Sequence, residues 1–232
     1  MKIYAGTSGF SYKEWKGPFY PEKLPNAKML SYYAEQLPSV EINNTFYRLP
    51  KKEVLEKWSD QVPDTFRFSI KASRRITHFK RLNDAADETE YLLSTLEALK
   101  KKLGVVLFQL PPFLRKDAER LTGFLKLLPK NTPAAFEFRH DSWFDDEIAD
   151  ALRSHNCALC IADTDEKPDP EFITTADWGY LRLRRAKYTA PALKKWAKQI
   201  SDAGWKRTFV FFKHEDEGAG PKMAEQFLKI TQ

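Results

Sequence analysis

The residues of this chain best suited to chemistry stand at the ends of short apolar runs. Glu41 and Asn43 close VEIN, Lys71 closes FRFSIK, Gln109 closes GVVLFQ, and Glu137, Arg139 and His140 close AAFEFRH. Asp163 closes CALCIAD, Arg182 and Arg184 close GYLRLR, and Lys213 with His214 closes TFVFFKH. A strand buried on both faces should be apolar throughout, so charges gathered at one end need a reason, and a ring of strand ends around one shared pocket supplies it. Glu41 and Glu137 suit a general base and a general acid if burial separates their pKa values. Lys71 is placed either to form an imine with a carbonyl substrate or only to neutralise Glu41 or Glu137. His140 either shuttles a proton or fixes its loop by bonding Asp141.

The elements that must position these residues alternate along the chain. IYAGTSG leads through a long aromatic loop to KMLSYYAEQL, VEINNTFY to KKEVLEKWSDQV, and FRFSIKA to ADETEYLLSTLEALKKKL. GVVLFQLPP precedes KDAERLTGFLKLL, AAFEFRH precedes DDEIADALRSH, and CALCIAD runs into a polar loop without an obvious helix. GYLRLR precedes APALKKWAKQISDAG, and TFVFFKH precedes PKMAEQFLKI. Apolar residues recur at helical spacing in the longer segments. Eight strands and about seven helices predict a TIM-like (β/α)8 barrel over residues 1–232, a single domain with its site at the strands' C-terminal ends. A doubly wound open sheet is the alternative. Neither G-x-G-x-x-G nor G-x-x-x-x-G-K-[ST] follows any strand, so no nucleotide cofactor is expected.

Period two sorts the strand faces. Glu137 shares a face with Arg139, Glu41 with Asn43, Ser69 with Lys71, and Arg182 with Arg184. Lining the lumen, they would form a set with Asp163 and Lys213 in which five cations face three acids. A structural salt-bridge net explains part of this set; the surplus of cations points to an anionic ligand. The net charge of +6 agrees with that reading without demanding nucleic acid. No apolar run is long enough to span a membrane and no signal-like segment opens the chain, so a soluble cytoplasmic protein is expected. Cys157 and Cys160, inside an apolar run, read as buried structural thiols. With only four histidines no obligatory metal is expected; a single divalent ion on Glu41, Glu137 and Asp163 is the alternative that nearby cations oppose.

Three loops carry further signals. Residues 71–81, KASRRITHFKR, hold five cations and no acid, and read as either a functional or a solvated basic loop. Residues 8–26 interleave Phe10, Tyr12, Trp15, Phe19 and Tyr20 with lysines, either to stack a ligand or to fasten a prolyl lid over the rim. Gly218 and Gly220 precede Pro221, where a helix start could bind phosphate, or simply begin a helix.

GTSGFSYKEWKGPFYP, EINNTFYRLP, FSIKASRRITH, VLFQLPP and FEFRHDSW, in that order, resemble the YecE-like family, known as domain of unknown function 72. The resemblance covers nearly the whole chain and implies a TIM-like barrel, akin to the xylose-isomerase and endonuclease-IV type, but no reaction. It implies a pocket bordered by Thr7, Ser8, Glu41, Asn43, Tyr47, Arg48, Lys71, His78, Gln109, Glu137, Arg139 and His140. The chain departs from the family pattern where Arg182, Leu183, Arg184, Arg185 stand for R-L-H-G and Phe212, Lys213, His214 for F-N-N, both changes toward positive charge. Three functions follow as expectations. The first is a pocket for a phosphorylated or carboxylated, sugar-like small molecule. The second is a nucleic-acid protein with a phosphate track on 71–81, Arg184 and Arg185, and the third a non-catalytic scaffold.

Overall fold

A computed structural model describes residues 1–213 and 218–231. Nine strands among them form one all-parallel sheet: β1 Lys2–Ser8, β2 Ser39–Ile42, β3 Arg67–Lys71, β4 Leu103–Gln109, β5 Ala134–Glu137, β6 Ala158–Leu159, β7 Ile161–Ala162, β8 Trp178–Leu183 and β9 Arg207–Phe212. Seven α-helices pack outside: α1 Met29–Gln36, α2 Lys52–Asp60, α3 Ala86–Leu96, α4 Ala118–Leu125, α5 Asp146–Ser154, α6 Ala190–Asp202 and α7 Ala219–Thr231. No helix separates β7 from β8. The sheet order β6-β5-β4-β3-β2-β1-β9-β8-β7 leaves β6 and β7 at its two edges.

Those edges are consecutive in the chain. The run expected as one strand, CALCIAD, is split at Cys160 into a half that pairs with β5 (Ala135 beside Ala158) and a half that pairs with β8 (Ile161 beside Leu181). Cys160 N–H donates to Phe136 O at 2.8 Å across the break. The barrel is therefore closed by changing partners within one five-residue segment, a shift that hydrophobic pattern does not encode.

The alternation of side chains sorts two cores. Tyr4, Val105, Leu107, Trp178, Tyr180, Phe209 and Phe211 fill the lumen, where the small Ala135, Ala158 and Cys160 leave room for the rings. Their sequence neighbours Phe108, Phe136, Leu181 and Val210 turn outward onto Leu55, Phe124, Ile148 and Ile200 of the helices. This is the inward–outward rule of barrels, and it places the polar residue next above each lumen side chain at the mouth. Asp117, Asp145 and Thr189 cap α4, α5 and α6 through their side-chain oxygens, which fixes the loops leading into those helices.

Two loops differ from a purely polar connection. Trp15 and Tyr20 are fully buried, and the Tyr20 hydroxyl donates to Phe10 O at 2.6 Å, so these aromatics fasten the first loop. In the basic loop, Arg75–Phe79 wind into a π-helical turn that buries Ile76 and Thr77, while Arg74 and Arg75 stay exposed.

Both cysteines are free and buried. Burial pushes the Cys157 thiol up to about 12 and the Cys160 thiol well above its ordinary value. A thiol so protonated and enclosed is inert. In the folded protein, neither cysteine should react with a thiol-specific chromogenic disulfide over hours, and both should react at once in denaturant; fast native labelling of Cys160 contradicts the packed lumen, and of Cys157 the packed helix-side core.

Candidate functional site

The mouth of the lumen is organised by one buried arginine. Arg182, next on the inner face of β8 above Tyr180, places its guanidinium between two carboxylates from opposite parts of the sheet. Its Nη2 and Nε donate to Glu41 Oε1 at 2.9 and 3.2 Å, and its Nη1 donates to Glu137 Oε2 at 2.6 Å. Glu41 is further held by Ser8 Oγ (2.7 Å), Asn43 Nδ2 (2.9 Å) and the Tyr180 hydroxyl (2.6 Å), which also meets Ser69 Oγ at 2.6 Å. All of Arg182, Glu41, Glu137 and Tyr180 are buried.

The electrostatics follow from this packing. Burial alone would raise the Glu41 carboxyl; the Arg182 charge, then Tyr180, Ser8 and Asn43, overcome it and hold the group below its ordinary range. Burial is likewise opposed at Glu137 by Arg182, Arg184 and Arg139, which hold that carboxyl far below its ordinary range. Arg182 is itself pushed up by the two carboxylates against the opposing effect of burial. Both glutamates are thus ionised and already occupied by donors, which suits them to hold charge in place and not to exchange protons near neutral pH.

Above this triad stand the groups with capacity to spare. Lys71 Nζ donates to Gln109 Oε1 at 2.8 Å, and Gln109 Nε2 donates to Glu137 Oε2 at 2.9 Å, so a neutral amide stands between the amine and the carboxylate. The amine also lies 4.3 Å from the centre of the Phe46 ring. Burial, and then the Arg182 charge, bring Lys71 down to about 8 despite the opposing pull of Glu137 and Glu41. His78 packs its ring edge on the same Phe46 ring, 4.8 Å between centroids, with Nδ1 2.9 Å from Thr77 Oγ1. Burial, then the Lys71 and Arg139 charges, lower its pKa. Arg139 Nε lies 3.3 Å and Arg184 Nη1 3.6 Å from Glu137 Oε1. Arg184 Nε is buried and bonds no partner among the described residues, as is Asn43 Oδ1. Two carboxylates therefore face four basic side chains: Arg182, Lys71, Arg139 and Arg184. A cavity of about 570 Å³ opens beside Arg139 and Arg184, bounded also by Glu137, Phe138 and Phe144, with Asp141, Glu166, Lys167, Asp169 and Glu171 as its further charged lining.

Other expected site residues lie apart from this cluster. Thr7 turns to the helix side, where its N–H and hydroxyl meet the Tyr33 hydroxyl at 2.9 and 2.8 Å. Asp163 also faces outward: its carboxylate accepts from the Tyr188 hydroxyl (2.6 Å) and Arg184 N–H (2.7 Å), and burial raises its pKa. The expected balance of five cations and three acids is corrected accordingly, because Lys213 is exposed past the end of β9. Tyr47 and Arg48 are exposed and border a separate groove of about 400 Å³ with Arg75 and Tyr91. His140 accepts from Ser142 N–H at 3.1 Å and caps a short helical turn; it bonds neither Asp141 nor the triad. Gly218 and Gly220 are buried, and a Cβ on Gly218 would come within 3.2 Å of Pro18 Cβ, so Gly218 serves close packing under the first loop. His214 lies outside the described residues. The residues that sequence reasoning passed over are Tyr180 and Phe46; Tyr180 carried a signal, since it shares the face of Arg182 two positions on.

A divalent ion on Glu41, Glu137 and Asp163 has no place here: Arg182 fills the space between the glutamates, and Asp163 is on the other face of the sheet. Among the described residues no three His, Cys, Asp or Glu side chains converge as a metal site.

Removing one partner of a buried ion pair strands the others' charge, at a cost of about 3–5 kcal/mol. Arg182→Met should therefore lower the melting temperature by roughly 10 °C in a domain of this size, whereas Arg139→Ala at the exposed rim should change it little. Equal melting temperatures would show that Arg182 is not the organising charge. Glu41 and Glu137 sit below their ordinary value of 4.5 when folded. Their contribution to stability is complete above that pH and drains away as the pH falls toward the folded values. Denaturant titrations from pH 7 to 3 should show a loss that shrinks when Glu137→Gln is introduced; the same slope in the variant contradicts the assignment.

The family model described as "Protein of unknown function DUF72" matches residues 4–232. The chain is 31% identical over 150 residues to UPF0759 protein YunF of Bacillus subtilis, covering 61% of this chain and 52% of that protein. It is 32% identical over 143 residues to UPF0759 protein YecE of Escherichia coli, covering 61% of this chain and 50% of that one. The matched stretch thus spans about half the length of these relatives. A crystal structure of a DUF72 family protein from Thermotoga maritima superposes with a TM-score of 0.87 at 28% identity, covering 99% of each chain. Barrel, motifs and whole-length match agree, and the chain belongs to the DUF72 family.

Proposed function

We propose that this protein binds a compact anionic small molecule, phosphorylated or carboxylated and hydroxyl-bearing, at the C-terminal mouth of its barrel. The observation that carries the reading is the excess of basic over acidic side chains in the innermost layer of the mouth, beneath a more acidic outer lining. Arg182 donates to both carboxylates, Arg139 and Arg184 share Glu137 with it, and Lys71 bonds the neutral Gln109, so four basic side chains draw on two carboxylates. Guanidinium groups suit a bidentate phosphate or carboxylate. Asn43, Gln109 and Ser8 donate to the two glutamates beneath the mouth and hold them in place. Farther out, Glu166 and Glu171 are exposed on the lining and would accept from hydroxyls while repelling a second anionic group. The ligand that fits carries its charge at one end. Glu41 and Glu137 act in this proposal as a fixed electrostatic base under the ligand.

A second reading rests on exposed aromatic–arginine pairs outside the mouth. Arg74 lies 5.4 Å from the Tyr47 ring centre and 5.3 Å from that of Phe79, and Arg81 lies 5.2 Å from Phe113. Such pairs can stack the bases of single-stranded nucleic acid.

Thermal shift separates the two. A ligand at about 100 times its dissociation constant adds about 2.7 kcal/mol of stability, a shift of several degrees. Phosphorylated sugars or small phosphorylated acids should raise the melting temperature. Arg139→Ala and Arg184→Ala should each weaken binding by about tenfold or more, since a lost bond to a charged group costs roughly 1.5–3 kcal/mol. A shift given only by oligonucleotides, and removed by moderate salt or by Arg74→Ala, would overturn the pocket reading and establish the other.

A further inference from the structure

We propose that Lys71 is the covalent centre of this site, its Nζ condensing with an aldehyde or ketone that also carries a carboxylate or phosphate. The inference rests on the anion-binding reading above and adds a reaction and a substrate class to it.

The geometry distinguishes Lys71 from a structural lysine. It ends β3 on the inner face, at the level where the barrel opens, and is partly buried. Its hydrogen bond among the described residues goes to a neutral acceptor, Gln109 Oε1. Gln109 cannot turn its amide over without losing its bond to Glu137. The amide therefore keeps Glu137 from pairing directly with the amine, and Arg182 holds Glu41 away from it. The groups whose charge reaches Lys71 are Arg182, Glu137, Glu41 and Arg139, and His78 shares its Phe46 support. Their joint effect with burial brings the amine to about 8, so about half of it is free base near that pH. A lysine needed only to cancel a glutamate would be bonded to one.

The condensation balances without any further reactant. The nitrogen lone pair adds to the carbonyl carbon, and the carbonyl oxygen takes up a proton to give the carbinolamine. That oxygen takes a second proton and leaves as water, and the nitrogen sheds one of its protons, so the net change is uptake of one proton and release of one water. The product is an iminium cation, so the positive charge of the site is retained. Arg139 and Arg184 would hold the substrate's anionic group, and His78, kept neutral, is placed beside the amine's support as a proton carrier.

The test uses the full chain with pyruvate and glycolaldehyde phosphate as anionic carbonyl probes, glycolaldehyde as the neutral control, and cyanoborohydride to reduce any imine. Peptide mapping by mass spectrometry then locates the secondary amine. Lys71 should be modified at least about tenfold faster than the exposed lysines near neutral pH, because more of its amine is unprotonated. The rate should rise with pH and level off above about 8, and the preference for the anionic probes should fall in Arg139→Ala. Modification of Lys71 no faster than of surface lysines overturns the proposal, and this comparison within the wild-type chain needs no variant. Lys71→Arg keeps the charge without the nucleophile, and it should lose the adduct. A thermal shift by a phosphorylated ligand with an inert wild-type Lys71 would sink the covalent step alone. Selective trapping at Lys71 without any shift by compact anions would sink the anion pocket and leave the amine chemistry standing.

Discussion

The guanidinium of Arg182 between Glu41 and Glu137 is the constraint on which the mouth of this barrel depends. Below it the lumen is filled by the rings of Tyr4, Trp178, Tyr180, Phe209 and Phe211. Ions in such surroundings are tolerated only when paired and fully hydrogen-bonded. Arg182 meets that condition by using three nitrogens on two carboxylates, and Ser8, Asn43, Tyr180 and Gln109 complete the remaining acceptor positions. Strands β1, β2, β4, β5 and β8 are thereby tied together at one level. The same arrangement decides the chemistry above it, because Arg182 takes a share of both carboxylates, leaving Arg139 and Arg184 to share Glu137 and Lys71 to bond a neutral amide.

Gln109 has a quieter part of equal weight. Its two amide ends point to opposite partners, the oxygen to Lys71 and the nitrogen to Glu137. A carboxylate at that position would have paired with the lysine and raised its pKa. With the amide, burial and Arg182 prevail and the amine is drawn downward. A positive rim and a softened amine are thus two outcomes of one layer of side chains.

Much of this could be read from the chain alone, and the failures have physical reasons. Alternation along the strands correctly sets Glu41 with Asn43 and Arg182 with Arg184, because every strand packs one face on helices and the other on the lumen. The same rule applied to β1 separates Thr7 from Ser8, and the structure sends Thr7 to Tyr33. A motif block marks both residues without saying which way each faces. Asp163 falls outside the lumen because alternation runs unbroken through Cys160: Ala158, Cys160 and Ala162 face inward, and Asp163 follows Leu159 and Ile161 to the helix side, so a polar strand end is not by itself a lumen position. Glu41 and Glu137 looked like an acid–base pair because their distance to a common arginine is a tertiary fact. The basic loop hid a buried Ile76, whose single apolar residue gives no period to detect.

The central claim is that the innermost layer of the mouth, where four basic side chains share two carboxylates, takes a compact anion. Crystals soaked with tungstate, a tetrahedral oxyanion with a strong anomalous signal, test it most directly. The account predicts an anomalous peak within hydrogen-bonding distance of Arg139 and Arg184, above an undisturbed Glu41–Arg182–Glu137 triad. No peak at the mouth, with those two arginines folded onto Glu166 or Glu171, would contradict it.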